Sequence, residues 1–530
     1  MTIAARSRTY DVAIVGGGHN ALVAAAYLAR AGRSVTVLER LDHVGGAAVS
    51  EGPWAGVDAR LSRYSYLVSL LPRRIIDDLG LDIRLRRRRY SSYTPDPADP
   101  SRGILIDTAD AAATADAFAR VTGDSGEAAR FAALYDRLAP LARQLFPSMM
   151  EPLRRRSVVR AELGDDGLWT DLCERPLGEL LRASLDTDLA RGVALTDGLI
   201  GTFASADDES LRQNRCFLYH VIGGGTGDWD VPIGGMGQVT AELARAAAAA
   251  GAELRTSAEV VAVSPDGEVE LGDGGRVHAR LVLSGVGPAV LERLLTAGGA
   301  GGADGGAPVP EGAQLKVNML LRRLPRLRDT RVAPEAAFAG TFHVNETMTQ
   351  LDEAHAAARD GRVPDPLPAE IYCHSLTDPS ILGPELQASG AQTLTLFGLQ
   401  VPHRLVAGRD PDAARTTLLA AAQRSLDSVL AEPLADCLYE APDGTPCVEA
   451  RTTADLERSL GMTGGDIFHG PLSWPWADDD EPLDHPARRW GVATAHERVL
   501  VCGSASRRGG AVSGLGGHSA AMAALELLAI

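Results

Sequence analysis

The chain has 530 residues, of which 45% are hydrophobic and 23% are charged, and this composition is ordinary for a globular protein with two or more domains. A net charge of −17 argues against a nucleic acid as the main partner. The first predicted strand begins almost at once, so we expect no secretory signal. No apolar run reaches the roughly 20 residues of a membrane-spanning helix. We therefore expect a cytoplasmic protein.

A predicted strand, a glycine turn, a helix and a second strand follow one another between residues 10 and 39. Gly16 permits the tight turn, Gly18 lets backbone N–H groups approach a pyrophosphate, and Ala21 lets the helix pack close to the strand. The helix N-terminus favours the negative charge of the pyrophosphate. Glu39 ends the second strand, where a carboxylate can accept hydrogen bonds from ribose hydroxyls. This pattern predicts a bound dinucleotide and leaves FAD and NAD open.

Two later glycine clusters, residues 222–227 and 284–288, resemble a second dinucleotide turn. The first is rejected because Pro232 follows and no helix N-terminus is available to receive phosphate. The second is rejected because Pro288 stands at the turn and no strand that ends in an acid follows. We therefore expect no separate NAD domain.

Periodicity predicts the remaining elements more coarsely. Residues 104–220 are predicted to be mostly helical, whereas 216–222 alone is typical of a strand. The stretch 297–310 is rich in Gly, Ala and Pro and is predicted to be a linker or loop. A strand is expected at 315–321, and a second strand–glycine–helix unit at 499–528 closes the chain.

The cysteine and lysine contents narrow the chemistry. The six cysteines are scattered without a Cys-x-x-Cys pair, which excludes a redox disulfide of the thioredoxin-reductase type and gives no zinc pattern. We expect free thiols in a reducing cytosol. Lys316 is the only lysine, and an amine can change its protonation state whereas a guanidinium cannot. Either Lys316 has a chemical role or it is a chance survivor in an arginine-rich chain.

Five segments together resemble the FAD-dependent phytoene-desaturase-like oxidoreductases. They are residues 15–23, 38–40, 45–48, 232–237 and 503–517. The turn Gly-His-Asn at 18–20 is similar to the carotene ketolase branch and to the branch of pyridine nucleotide-disulphide oxidoreductase domain-containing protein 2. The segments 375–380 and 464–470 resemble the same branch. The resemblance runs from about residue 10 to the C-terminus.

The resemblance implies an α/β fold of the amine-oxidase superfamily (GR2 type). Its Rossmann-like FAD-binding domain is accompanied by a discontinuous α+β substrate domain. The FAD-binding domain is expected to comprise residues 1–75, 228–300 and 485–530. The substrate-binding domain is expected to comprise residues 76–227 and 301–484.

The resemblance also implies which residues contact FAD. Glu39 would bind the adenosine ribose, Val260 would meet adenine through its backbone, and the 510–513 backbone would face the pyrimidine side of the flavin. There, the start of the last helix can stabilise charge on the reduced ring. The predicted cofactor-binding residues are Gly16, Gly18, His19, Asn20, Ala21, Glu39, Arg40, Gly45, Gly46, Ala47, Val260, Gly503, Ser504, Gly510, Ala511, Val512 and Ser513.

Two residues are predicted to act at the flavin side. The strand around Lys316 is similar to the amine-oxidase strand whose lysine holds a water near flavin N5, so the resemblance implies a catalytic role for Lys316. His469 is predicted to line the flavin cavity, with a structural histidine as the alternative. No metal site is predicted.

Two groups of arginines are unexpected beside a hydrocarbon. Arg507 and Arg508 stand where the resembling enzymes carry a Gly-Thr-His-Pro pattern. They indicate either a substrate with a carboxylate or phosphate, or solvent-facing positions, and we favour solvent. Between residues 84 and 89 we expect a solvated loop, with a membrane surface or a carrier protein as the alternative contact. The arginines there are Arg84, Arg86, Arg87, Arg88 and Arg89.

The resemblance implies an FAD-dependent dehydrogenase that desaturates a C–C bond in a largely apolar or amphiphilic small molecule. The flavin takes hydride at N5 and a proton leaves the neighbouring carbon. The electron acceptor, O₂ or a quinone, and the oligomeric state stay open. Alternatives are flavin amine oxidation, which the aromatic content of 5% disfavours, and ketolase-type oxidation of a small or polyene metabolite. A further alternative is a protein that holds FAD without catalysis.

Overall fold

The structure is a computed structural model and describes residues 8–300 and 309–529. Most of the predicted loop at 297–310 therefore lies outside the described residues. We number strands and helices in chain order. Within the described ranges the strands form two large sheets and two short ladders.

The first sheet joins segments from both ends of the chain. Its strands are β1 (Arg8–Val15), β2 (Val35–Leu38), β9 (Glu253–Arg255), β10 (Val260–Val263), β11 (Glu268–Leu271), β12 (Arg276–Ser284) and β18 (Val499–Val501). The order is β10-β11-β12-β1-β2-β9, and β18 pairs with β12. Strands β2, β1, β12 and β18 are parallel, so their carboxyl ends meet at one edge. In parallel sheets, ligands bind at this edge.

The second sheet is built from the middle of the chain. Its strands are β6 (Tyr90–Asp96), β7 (Asp99–Asp107), β13 (Ala313–Leu321), β14 (Thr341–Val344), β15 (Ala369–Tyr372), β16 (Gln392–Pro402) and β17 (Val448–Arg451). The order is β17-β13-β16-β15-β14-β6-β7. The short ladders pair β3 (Ser50–Glu51) with β4 (Leu61–Ser62) and β5 (Leu85–Arg86) with β8 (Val231–Pro232).

Helices pack on both sheets, and most of the chain from residue 111 to residue 222 is helical. They are α1 (His19–Arg30), α2 (Arg73–Leu79), α3 (Ala111–Thr122), α4 (Glu127–Ser148), α5 (Arg156–Leu163), α6 (Asp166–Cys173), α7 (Leu177–Ser184), α8 (Asp188–Thr196), α9 (Arg212–Ile222), α10 (Met236–Ala249), α11 (Pro288–Ala297), α12 (Pro334–Ala339), α13 (Met348–Arg359), α14 (His374–Thr377), α15 (Pro384–Ser389), α16 (Pro411–Asp427), α17 (Thr453–Leu460), α18 (Pro486–Arg489) and α19 (Leu515–Ala529). Single 3₁₀ turns occur at Gly223–Gly225, Pro379–Ile381, His403–Leu405, Leu434–Cys437 and Thr463–Gly465.

Most of the predicted elements are confirmed, and two predictions are wrong. The first strand–helix–strand unit, β13 and α19 lie where the sequence predicts them. Residues 216–222 are the last part of α9 and not a strand. Their apolar side chains are buried around most of the helix, and a short apolar run of this kind does not distinguish the two structures. The segment predicted to be helical from residue 104 still belongs to β7 until Asp107.

The largest hydrophobic core joins the first sheet to the helical segment. Helix α1 packs between α19 and α10, and this core continues into α4 to α9. A second core lies within the second sheet and its covering helix α16. Among the described helices, none combines the length and apolarity needed to cross a bilayer.

Candidate functional site

One large cavity connects the two sheets. Its volume is about 1180 Å³, and its wall includes the dinucleotide turn, the C-terminal loop and side chains of the second sheet. Sites for a single small molecule usually enclose about 300–1,000 Å³. The cavity therefore has room for a dinucleotide and for part of a second ligand.

The turn between β1 and α1 forms one end of the cavity. Gly18 caps α1 without a side-chain hydrogen bond, so the first N–H groups of the helix remain free for a ligand. A Cβ atom added to Gly18 would meet no other atom within 4 Å, because this position faces the open cavity. This cradle has the shape and the donors that a pyrophosphate requires.

The carboxylate of Glu39 is fixed at the wall by two backbone groups. Gly17 N donates to Oε2 at 2.7 Å, and Leu41 N donates to Oε1 at 2.8 Å. Arg40 donates to the carbonyl of Ser459 at 2.9 Å. Both residues line the cavity, and their contacts with an adenosine ribose stay a prediction.

The glycine cluster rejected as a second dinucleotide turn lies beside the first turn. Gly285, Val286 and Gly287 line the same cavity, and a Cβ on Gly16 would approach Val286 at 3.3 Å. The parallel pairing of β1 with β12 causes this arrangement, because parallel strands that neighbour each other end at one edge. The strand–turn–helix pattern at 281–290 was therefore an available signal for a wall of the first site.

The C-terminal loop closes on α1 and supplies the other side of this end. His19 Nε2 lies 3.0 Å from the carbonyl oxygen of Ala511, and Asn20 Nδ2 donates to the carbonyl of Gly509 at 3.3 Å. Ala511 has a left-handed backbone with φ of 58°. Two segments almost 500 residues apart thus share one wall.

His469 lies at the same end of the cavity, and its contact with a flavin stays a prediction. Its Nδ1 is buried and has no hydrogen-bond partner among the described residues. Burial lowers the pKa values of His469 and His19 to about 4, so both rings are neutral near pH 7. His469 therefore contributes an uncharged ring to this end of the cavity.

Most of the predicted cofactor-binding residues line this cavity. They are Gly16, Gly18, His19, Asn20, Ala21, Glu39, Arg40, Gly46, Ala47, Val260, Gly503, Ser504, Ala511 and Val512. Gly45, Gly510 and Ser513 lie behind the wall. A Cβ on Gly45 would overlap Val49, and one on Gly510 would overlap Leu472, so these glycines permit close packing.

Lys316 also lies behind the wall. It is buried, and its Nζ donates to the carbonyl oxygens of Ser62 and Tyr64 at 2.8 Å each. The amine lies 4.7 Å from the centre of the Tyr66 ring, which does line the cavity. Burial lowers the pKa of Lys316 well below its ordinary value. In this structure Lys316 positions the segment that carries Tyr66, and its predicted action at a flavin stays a prediction.

The second sheet presents one row of cross-strand neighbours to the cavity. His343 on β14 pairs with Glu370 on β15, which pairs with Phe397 on β16. Phe397 in turn pairs with Lys316 on β13. Residues directly opposite each other in a sheet share a face. The first three line the cavity, so the row places two ionisable groups beside an aromatic ring.

Hydrogen bonds connect these ionisable groups into a buried network. Tyr372 donates its hydroxyl to Glu370, and His343 Nδ1 lies 2.6 Å from Glu346 Oε2. Thr196 donates to the same Glu346 oxygen at 2.7 Å. The two sets of bonds lie side by side, because side-chain atoms of His343, Glu346 and Glu370 are within 4.8 Å of one another. Glu346 Oε1 has no hydrogen-bond partner among the described residues.

Three groups of this cluster have pKa values above those of isolated side chains. Burial, together with the charge of Glu346, raises the pKa of Glu370 to about 8. Burial also raises the pKa of Asp197, which lines the cavity nearby. Burial alone would lower the pKa of His343, but the Glu346 carboxylate outweighs it and the pKa lies above its usual value. No local motif marks these residues in the sequence.

The arginines between residues 84 and 89 differ in their surroundings, and Arg84 and Arg86 are exposed. Arg87 pairs with Asp228 at 2.5 Å and with Asp230 at 3.2 Å, and Arg89 pairs with Asp107 at 2.8 Å. Arg88 lines the cavity, with its guanidinium 5.7 Å from the centre of the Tyr372 ring. Contact with a membrane or a carrier protein stays a prediction.

The solvent-facing interpretation is wrong for Arg508, whereas Arg507 is partly exposed. Arg508 is 2% exposed and donates to the carbonyl oxygens of three residues: Pro475 at 3.0 Å, Met149 at 3.1 Å and Glu151 at 2.5 Å. Arg507 pairs with Glu481 at 2.9 Å. Both side chains therefore bind the protein itself, which leaves the substrate charge open.

Comparisons with known proteins agree with this architecture. Residues 14–70 match a family model described as NAD(P)-binding Rossmann-like domain. The chain is 55% identical to an uncharacterized protein of Mycobacterium tuberculosis, over 98% of each chain. It is 30% identical to pyridine nucleotide-disulfide oxidoreductase domain-containing protein 2 of Rattus norvegicus, over 97% of this chain and 92% of that protein.

The fold is also found among solved structures. Cyclohexylamine oxidase from Brevibacterium oxydans superposes with a TM-score of 0.56 at 15% identity, over 98% of this chain and all of that one. At this identity the likeness concerns the fold alone. The predicted fold class, a Rossmann-like domain within an amine-oxidase-type architecture, is confirmed.

Proposed function

We propose that the chain, which belongs to the family of pyridine nucleotide-disulfide oxidoreductase domain-containing protein 2, is an FAD-dependent dehydrogenase. It introduces a C=C bond into a largely apolar, amphiphilic small molecule. O₂ or a quinone serves as the electron acceptor.

The observation that carries this proposal is the single cavity shared by the dinucleotide turn, the C-terminal loop and the second sheet. A nicotinamide dinucleotide that binds and dissociates in each catalytic cycle would need a second dinucleotide-binding glycine turn. Residues 222–227 and 284–288 do not provide one. A cavity that continues past the nucleotide end suits a resident cofactor with a second ligand beside it.

The residues around the cavity fit FAD. The free N–H groups at the start of α1 suit its pyrophosphate, and the Glu39 carboxylate suits a ribose that lacks a 2′-phosphate. When bound, the flavin supplies two-electron acceptor chemistry. The protein orients the substrate along the wall at Tyr66 and Phe397 and excludes water. It also supplies a group that accepts the proton released by the substrate.

Amine oxidation is the second candidate. Two carboxyl groups, Asp197 and Glu370, line the inner part of the cavity, and either could pair with an ammonium group. The same wall carries Phe397 and Tyr66, which suit an apolar chain. We favour desaturation because the guanidinium of Arg88 lines the same wall and would repel a bound cation.

Anaerobic reduction of the FAD-loaded protein tests the proposal. Phytoene in detergent micelles, a long-chain fatty acid and cyclohexylamine are mixed separately with the protein, and flavin absorbance is followed. Bleaching by phytoene or the fatty acid, with a product two mass units lighter, supports desaturation. Bleaching by cyclohexylamine alone favours the second candidate, and a protein that binds no FAD overturns both. Reoxidation by O₂ or by a quinone then identifies the acceptor.

A further inference from the structure

A dehydrogenation removes a proton as well as a hydride, and the inner wall of the cavity carries the groups that can take it. Glu370 lies in the middle of the second sheet, between β14 and β16. A rigid strand holds a reacting group more precisely than a loop does. The ionisable groups that face Glu370 from its own strand and from the elements packed against it are Tyr372, His343, Glu346, Asp197, Tyr66, Arg88 and Cys216.

We propose that Glu370 is the proton acceptor of this active site, with Tyr372 as its positioning residue. The inference rests on the proposed function. In the step, a C–H bond of the substrate breaks and its proton forms an O–H bond with the Glu370 carboxylate. The electron pair of that bond becomes the new C=C bond, while the adjacent carbon loses hydride to the flavin.

Geometry selects Glu370 among the three carboxyl groups of the cluster. Glu346 does not line the cavity and is already bonded to His343 and Thr196. Asp197 lies just beyond the end of α8, beside Tyr135. Only Glu370 is the cross-strand neighbour of Phe397, the ring against which an apolar chain would lie.

Tyr372 controls the direction of the carboxyl group. It lies two positions after Glu370 on β15, hence on the same face of the strand, and donates its hydroxyl to Glu370 Oε2. The Tyr372 ring packs against Tyr66 with centroids 4.7 Å apart. One carboxyl oxygen is thus held by the phenol, and the other remains available at the wall.

The environment sets the pH at which Glu370 can act. Burial and the Glu346 charge raise its pKa to about 8. Only the ionised form accepts a proton, so the rate of flavin reduction should rise as the pH increases through about 8. Catalytic acids and bases are commonly tuned toward the working pH in this manner.

Infrared spectroscopy tests the proton site without any substrate. We expect the FAD-loaded wild type to show the carbonyl band of a protonated carboxyl group that disappears as the pH rises through about 8. Glu370→Gln should lose this band. Glu346→Gln is the matched control, because it removes a buried carboxyl group that does not line the cavity. It should keep the band and shift its disappearance to lower pH.

Stopped-flow reduction provides the second readout, with phytoene or the fatty acid as the probe. We expect Glu370→Gln to bind FAD normally, to reduce it at least about 100-fold more slowly and to lose the pH step. The inference is overturned if Glu370→Gln keeps the infrared band, or if it reduces the flavin at the wild-type rate with the wild-type pH profile. If no probe bleaches the wild type, the proposed function fails, while the infrared measurement still decides whether Glu370 holds the proton.

Discussion

Gly16 and Gly18 stand two positions apart in one turn, but an added methyl group would meet different surroundings. Gly16 has φ of +89°, and its Cβ would approach Val286 at 3.3 Å. Alanine there should therefore destabilise the fold by about 1–2 kcal/mol. Gly18 has φ of −70° and open space around its Cβ position. Alanine there should change the stability of the FAD-free protein by less than about 0.5 kcal/mol.

The same pair predicts the opposite order for cofactor binding. Because its methyl group would point into the cavity, Gly18→Ala should weaken FAD binding by about 10-fold or more. Urea unfolding of the FAD-free variants and fluorescence titration with FAD measure the two effects. A Gly18→Ala protein that binds FAD as the wild type does would place the pyrophosphate elsewhere.

The sequence shows that Lys316 is unusual, but it does not show which groups Lys316 contacts. Its uniqueness in the sequence and its position on a buried strand are visible without a structure. Its partners are not, because the carbonyls of Ser62 and Tyr64 belong to a segment about 250 residues away. The amine donates to the backbone that carries Tyr66, and this contact depends on how two distant segments pack.

At the scale of elements, the C-terminal loop depends on one buried side chain. Arg508 donates to three carbonyl oxygens, and burial lowers its pKa to about 10. Arg508→Met keeps much of the volume but leaves the carbonyls without this donor, at a cost of about 1–3 kcal/mol for each buried group left unpaired.

Arg488→Met is the matched control for this substitution. Arg488 is about half exposed and, among the described residues, forms an ion pair only with the exposed Asp484. Its substitution should change stability by less than about 0.5 kcal/mol. Chemical denaturation of both variants measures the difference. Equal stabilities would show that the loop does not depend on Arg508.

Elements made of local contacts could be predicted, and elements defined by distant pairing could not. The glycine turn, α1 and α19 follow from residues that are close in sequence. The end of helix α9 is wrongly predicted as a strand, because its residues are buried around most of the helix and their apolar side chains do not show a helical period. The row of His343, Glu370 and Phe397 depends on the register of three strands, which the sequence alone does not specify.

At the scale of the whole molecule, the residues at one end of the cavity could be predicted from the sequence better than those at the other end. The nucleotide end carries a fingerprint, since a pyrophosphate requires glycines at fixed spacing. The inner wall gathers Tyr66, Asp197, His343 and Glu370 from four segments that are far apart in the sequence. A site assembled from residues that are far apart in the sequence leaves no sequence motif.

The cavity wall joins the turn before α1 to the loop before α19, so a ligand that fills it should stabilise the whole fold. We expect FAD at about 100 times its Kd to raise the free energy of unfolding by about 2.7 kcal/mol, observed as a higher Tm. ADP occupies only the turn at Gly18, and at the same concentration it should raise the Tm less, because it makes no contact near Val512. Thermal unfolding with FAD, ADP and NAD⁺ compares the ligands, and Gly18→Ala serves as the control, in which FAD at the same concentration should give about half of this stabilisation or less. If ADP matched FAD, the C-terminal loop would not hold the flavin; if NAD⁺ exceeded FAD, the resident cofactor would be a nicotinamide.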